Sequence, residues 1–216
     1  MALAAFAAMP AAAQLAGMPV WNNPKGGTGI TIDGDFASNN DDAGGGNAFG
    51  ARASVGLANL TLGAGLATWD SDLSNDKITT FAANAGFRLI GGSLLPVAVN
   101  LQVGAGRSNE VSSGVPGSPI PAITTLTASV GLSTSVPTPG FSIEPYVSPG
   151  IRYYKASDAP TGFDDTESNF GFTIGANVNF GMFGVHLAYD SESNNGASSG
   201  IFGIGAHVAL KAPIGM

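Results

Sequence analysis

The chain contains no cysteine, so a disulfide framework, a thiolate metal site and a cysteine nucleophile are all excluded. Charge is scarce: 11% of its 216 residues are Asp, Glu, Lys or Arg, against roughly 25% in an average soluble domain. The net charge is −7, with no basic stripe to meet phosphate, which argues against a nucleic-acid partner. Histidine occurs only as His186 and His207, so acid–base or metal chemistry would have to lean on carboxylates. No apolar run beyond the N-terminus approaches the ~18 residues of a membrane helix.

What is present is 44% apolar residues and 32 glycines, without the G-x-y period of collagen. An apolar share of this size, strictly patterned, also argues against disorder. Residues 1–13 form a small-apolar run ending Ala11-Ala12-Ala13, which fits a small-x-small cleavage site before Gln14. No Lys or Arg precedes it, so the expectation is an export signal truncated at its start. Residues 14–26 then read as a periplasmic lead, 27–210 as the folded unit and 211–216 as a tail.

From Gly27 onward the dominant hydrophobic period is two, the side-chain period of a β-strand. Ten segments alternate in this way: 28–37, 48–57, 60–69, 78–90, 95–106, 123–136, 141–154, 170–180, 183–190 and 201–210. In the third, for example, Leu60, Leu62, Ala64 and Leu66 oppose Thr61, Gly63, Gly65 and Ala67. Most segments run to about ten residues, the length a tilted strand needs to cross a bilayer. Long polar links (38–47, 70–77, 107–122, 155–169, 191–200) follow the odd segments, and links of two to four residues follow the even ones. That alternation is the mark of a membrane meander with short periplasmic turns and long outer loops.

The second face of each segment is small and polar, where a soluble sheet would carry many Lys and Glu. Small residues suit the crowded interior of a narrow barrel, and closing the sheet pairs every backbone group that lipid would leave unsatisfied. Aromatic residues of the apolar face gather near the strand ends. Phe36, Phe49, Phe81, Tyr153, Phe170, Tyr189 and Phe202 lie toward the long loops, and Phe87, Phe141, Phe180 and Phe183 toward the short turns. Two girdles around an aliphatic band match the interfacial preference of aromatic rings. The fold class expected is therefore all-β: a closed antiparallel up-and-down transmembrane barrel of about ten strands. Pro145 and Pro149 cannot donate to the ladder, so a bulge or break is expected in the seventh segment, with eight or twelve strands as alternatives.

On these patterns residues 27–210 resemble the small outer-membrane β-barrels of Gram-negative bacteria, in the opacity-protein and OmpW-like class. The resemblance is architectural and rests on no specific motif. It implies a place in the bacterial outer membrane and contact with membrane lipid and lipopolysaccharide. It also implies delivery by the barrel-assembly machinery. Chains of this class often end on an aromatic residue, whereas this one ends Pro213-Ile214-Gly215-Met216. Residues 211–216 are then either an added tail or a weaker assembly signal.

Nine ionisable residues fall on the lumen face: Asp33, Asp35, Arg52, Arg88, Glu144, Arg152, His186, Asp190 and His207. Charges inside a narrow barrel need partners, so structural ion pairs are the first reading and a pore lining the second. His186 and His207 look to lie at different depths, and two histidines alone make a weak metal site. No metal or cofactor is assigned. The outer links are acidic (Asp41, Asp42, Asp70, Asp72, Asp76, Glu110, Asp158, Asp164, Asp165, Glu167, Glu192). Asp70, Asp72, Asp164 and Asp165 are candidate oxygen ligands for a divalent cation, though they lack the spacing of a calcium loop. No G-x-S-x-G elbow occurs. The leading expectation is a non-enzymatic, porin-like envelope protein, either a narrow pore for small solutes or a structural barrel. Surface binding through the acidic loops is the alternative, and a rim-sited hydrolase comes third.

Overall fold

The computed structural model describes residues 14–21, 28–92, 95–113, 119–157, 164–194 and 197–210. The expected export signal, residues 22–27, Asp158 and the tail 211–216 lie outside the described residues.

Among the described residues eleven strands form one closed antiparallel sheet: β1 (Gly29–Asn39), β2 (Asn47–Leu57), β3 (Leu60–Asp70), β4 (Ile78–Gly92), β5 (Leu95–Ser108), β6 (Ile123–Thr134), β7 (Val136–Thr138), β8 (Phe141–Ala156), β9 (Thr166–Phe180), β10 (Phe183–Asn194) and β11 (Ala197–Leu210). Sequence neighbours pair throughout except β6 and β7, which both pair with β8, and β1 also pairs with β11, which closes the ring. The short β7 prolongs β6 along the same partner, β8, so the barrel has ten staves.

The side chains sort as the alternation requires. Ile30, Ile32, Phe49, Leu62, Leu66, Phe81, Val103, Ile151, Ile174, Leu187 and Ile204 are exposed on the outside. The Phe36–Phe49 and Phe141–Phe180 ring pairs mark its two ends. A soluble monomer rarely leaves so continuous an apolar belt uncovered; a belt of this kind on a closed sheet fits a lipid surround.

The prolines act differently from the expected bulge. β8 keeps one unbroken register against β9, and a single register holds on both sides of the gaps it shows against β6 and β7. Pairing lapses on that side opposite Pro149 and again opposite Pro145, where β6 gives way to β7. Four residues apart in a strand, both proline nitrogens point the same way. The missing donors therefore fall on one edge, and the strand itself stays straight. The true register shifts lie between β4 and β5 near the short turn, at Arg88/Ile90 and Ile90/Gly92.

The fifth outer link is also shorter than its polarity suggests. β10 and β11 stay paired up to Asn194↔Ala197, so much of 191–200 is strand. Ser191, Ser198 and Ser199 are polar on both faces, which erases the period-two signal without ending the ladder.

The largest departure concerns residues 14–21. They lie inside the barrel, with Gln14 to Val20 buried, and not below it as a periplasmic lead. Leu15, Ala16 and Met18 join Ala37, Ala43, Ala48, Ala67, Trp69, Ile78, Val111, Ile120 and Ile201 in an apolar core that fills the long-loop half of the lumen. The segment has no regular structure, so the wall meets its polar atoms. Asn39 Nδ2 donates to the Gly17 carbonyl (3.1 Å), Gln102 Nε2 to the Trp21 carbonyl (3.1 Å), and Gln14 Nε2 to Thr127 Oγ1 (3.0 Å). Gly17 sits at φ +73 with Trp69 against it, a position that only glycine fills without strain.

Candidate functional site

Two polar layers line the lumen, one on either side of its middle. The outer layer is built on β8, β9 and β10. Arg152 grips Asp190 with both arms of its guanidinium (2.6 and 2.8 Å) and reaches Glu192 Oε2 at 3.0 Å. Tyr154 donates to the same Glu192 oxygen (2.6 Å), Asn169 Nδ2 to the other (2.7 Å), and Thr173 to Asp190 Oδ2 (2.6 Å). The Val20 backbone N–H donates to that Asp190 oxygen at 3.0 Å, tying the inner segment to the wall. Arg152, Asp190 and Glu192 are each at most 3% exposed, so these charges survive burial only because each is met by several partners. Glu192, expected among the solvated loop acids, belongs to this network because β10 extends past the membrane-facing stretch.

The inner layer faces the short turns. Arg52 on β2 binds Asp35 bidentately (2.6 and 3.1 Å) and Asp33 at 3.2 Å, both on β1. Asp35 Oδ1 lies 2.6 Å from His186 Nε2, and His186 Nδ1 lies 3.3 Å from His207 Nδ1. The two imidazole planes are inclined by 17° with ring centres 5.5 Å apart, and the far nitrogen of His207 meets Asn179 Oδ1 at 3.0 Å. Trp21 roofs the layer, edge-on to His186 at 4.6 Å and under the Arg52 guanidinium at 5.1 Å. Below lies a cavity of about 550 Å³ bordered by Thr31, Asp33, Glu144, Asn177, His186 and His207, extending to Gly140 and Gly181 of the short turns.

All nine residues expected on the lumen face point inward, but they fall into three groups. Arg152 and Asp190 belong to the outer layer. Asp33, Asp35, Arg52, His186 and His207 belong to the inner one, with Glu144 on its cavity wall. Arg88 sits apart near the β2–β3 turn, donating to Asn59 Oδ1 at 2.8 Å. The two histidines are not at different depths. His186 pairs with Gly205 and His207 with Gly184 across one strand boundary, a two-residue offset that brings the rings together. Of the loop acids, Asp70 is exposed and 4.0 Å from Lys77, and Asp72, Asp164 and Asp165 are exposed. Among the described residues, the metal-ligating side chains that converge are Asp33, His186 and His207.

Sequence reasoning missed the part played by residues 14–21, whose sole sequence cue was glycine on the facing wall. A methyl group at Gly104 would collide with the Gln14 side chain, one at Gly106 with its carbonyl, and one at Gly203 with Pro19 and Trp21.

No family model matches the chain, and no curated protein matches it either. Among solved structures it is similar to the β domain of the Bordetella autotransporter BrkA, with 10% identity and a TM-score of 0.52 over 86% of this chain and 100% of that one. Neisserial surface protein A shares 17% identity (TM-score 0.42, 85% of this chain and 98% of that one). The Escherichia coli outer membrane protease OmpT shares 11% (TM-score 0.40, 85% and 94%). At such identities the likeness concerns the fold alone. Ring closure, an unbroken apolar exterior and short turns alternating with long loops lead to the same place: the chain is a small outer-membrane β-barrel.

Proposed function

We propose that this protein is a non-enzymatic envelope barrel held closed by its own N-terminal segment, with a structural role and no standing pore. The observation that carries the reading is the burial of residues 14–20 within the lumen, where Met18 and Trp69 are 0% and 1% exposed. Cleavage before Gln14 would make this segment the start of the mature chain, folded back into the barrel that follows it. Lipid and lipopolysaccharide cover the outer belt, and the barrel-assembly machinery inserts it. Small solutes reach the inner cavity from the periplasmic side and stop beneath Trp21. Both histidines lie in that inner half, so a hydrolase at the outer rim would have none to use.

Planar-bilayer recording of the refolded chain tests the reading. The full barrel is expected to give no steady conductance, and a variant lacking residues 14–21 is expected to give discrete steps. Steady conductance from the full barrel would overturn it.

A further inference from the structure

The inner layer presents an unusual set of facing atoms. His186 Nε2 lies 2.6 Å from a carboxylate oxygen of Asp35, which only accepts, and 3.4 Å from Arg52 Nη2, which only donates; the much shorter contact puts the proton on Nε2 and leaves Nδ1 basic. His207 Nε2 faces the amide oxygen of Asn179 at 3.0 Å, which fixes the same tautomer. The two basic Nδ1 atoms then face one another at 3.3 Å, with Asp33 Oδ1 4.0 Å from that of His186. Three lone-pair donors converge within 4.8 Å. A hydrogen bond between the rings would need a proton on one Nδ1, taken from an Nε2 that faces an acceptor or added as a positive charge.

We propose that Asp33, His186 and His207 bind one divalent transition-metal cation of the zinc class. A cation about 2.1 Å from each nitrogen would see the pair at roughly 100–105°, close to tetrahedral. Asp33 completes the third corner by closing its 4.0 Å separation from His186 Nδ1, and one of up to 4.8 Å from His207, to the ~3.3 Å at which tetrahedral ligands stand at such bond lengths. The cavity on the short-turn side leaves the fourth position to water and gives the ion a way in from the periplasm.

Two further features mark a built site. Asp35 and Asn179 are the outer partners that metal-bound imidazoles ordinarily have, orienting each ring through its far nitrogen. Gly184 and Gly205 stand beside the rings, where a Cβ at either position would occupy the space of His207 or His186. The charge is also suitable. Around the rings, Asp33, Asp35 and Glu144 stand against Arg52, leaving two negative charges for a dication to neutralise. Imidazole ligands favour zinc, copper or nickel over calcium and magnesium.

The test uses untagged full-length barrel folded in detergent, with heat-modifiable gel migration as the control for folding. After equilibration with Zn²⁺ and desalting, elemental analysis is expected to find one zinc per chain, and Co²⁺ in its place is expected to give the visible bands of a tetrahedral site. His207→Ala and Asp33→Asn should abolish stoichiometric retention, and Asp35→Asn, which removes the carboxylate that orients His186 and pairs with Arg52 but leaves all three ligands, should weaken it ~10–100-fold. Should His207→Ala not fold, Asp33→Asn carries the same decision, because it preserves size and shape. The proposal is overturned if the folded wild type retains no zinc, as a protonated imidazole pair predicts. Equal retention by the folded variants, or equal retention of Ca²⁺, would overturn it too by placing the metal in the acidic loops.

Discussion

The two halves of the lumen share one wall and are filled in opposite ways. Toward the long loops the space is solid: an apolar core closes on Trp69 and Met18, and Arg152 is saturated by Asp190 and Glu192 without access to water. Toward the short turns a comparable set of charges borders an open cavity, and Arg52 keeps 19% of its side chain exposed. The same kind of ion pair therefore plays two parts. In the dry half it fixes the inner segment against the wall. In the wet half it holds imidazoles in place while leaving their other atoms free to meet something that enters.

The largest effect expected from this contrast lies in the arginines. Arg152→Met leaves two carboxylates buried without a cation and should cost about 3–5 kcal/mol. Arg52→Met should cost less, because water in the cavity can solvate Asp33 and His186 still meets the buried Asp35. The measurement is the temperature at which each folded barrel loses its fast-migrating form on detergent gels. Equal losses would mean that the inner half is as dry as the outer.

The tryptophans report the same difference without disturbing a charge, since there is one in each half. In a Trp69→Phe variant the remaining Trp21, partly exposed above the cavity, should be quenched readily by a small neutral quencher such as acrylamide. In Trp21→Phe the remaining Trp69, 1% exposed and donating to the Gly45 carbonyl at 2.9 Å, should be quenched several-fold less. Similar quenching of the two would show that the outer half admits small molecules.

How much of this was legible in the sequence follows from which surface wrote the signal. Lipid demands an apolar residue at every second position, and that demand placed all ten staves. The long-loop ends of β10 and β11 show its limit: Ser191 and Glu192 continue the ladder above the bilayer, where lipid no longer selects their neighbours. The histidine pair was within reach. Strand ends at Asp190 and Ile201 already fix the register that sets His186 opposite Gly205, and the rings follow from it. Residues 14–21 were not legible. They carry no periodicity, and their partners are scattered along the chain, from Asn39 for Gly17, 22 residues away, to Asp190 for Val20, 170 away. Their imprint is the negative one of glycines, which sequence alone reads as small lumen residues.

That imprint gives the finest test of the comparison, in two glycines on the neighbouring strands β4 and β5. A methyl group at Gly106 would run into the carbonyl of Gln14, a backbone atom, so Gly106→Ala requires the inner segment to shift. Overpacking of this kind costs about 1–3 kcal/mol. At Gly86, in the inner half, the nearest atoms to an added Cβ are the Leu101 carbonyl at 3.8 Å and two others at 3.9 Å, ordinary contact distances. Gly86→Ala should therefore leave the melting temperature unchanged or raise it slightly, since alanine restricts the unfolded chain. The decisive arm is the double change: in a barrel lacking residues 14–21, Gly106→Ala should lose its penalty and behave like Gly86→Ala. A penalty that survives removal of the segment would place its origin in the strand itself and remove the glycines as a trace of what fills the lumen.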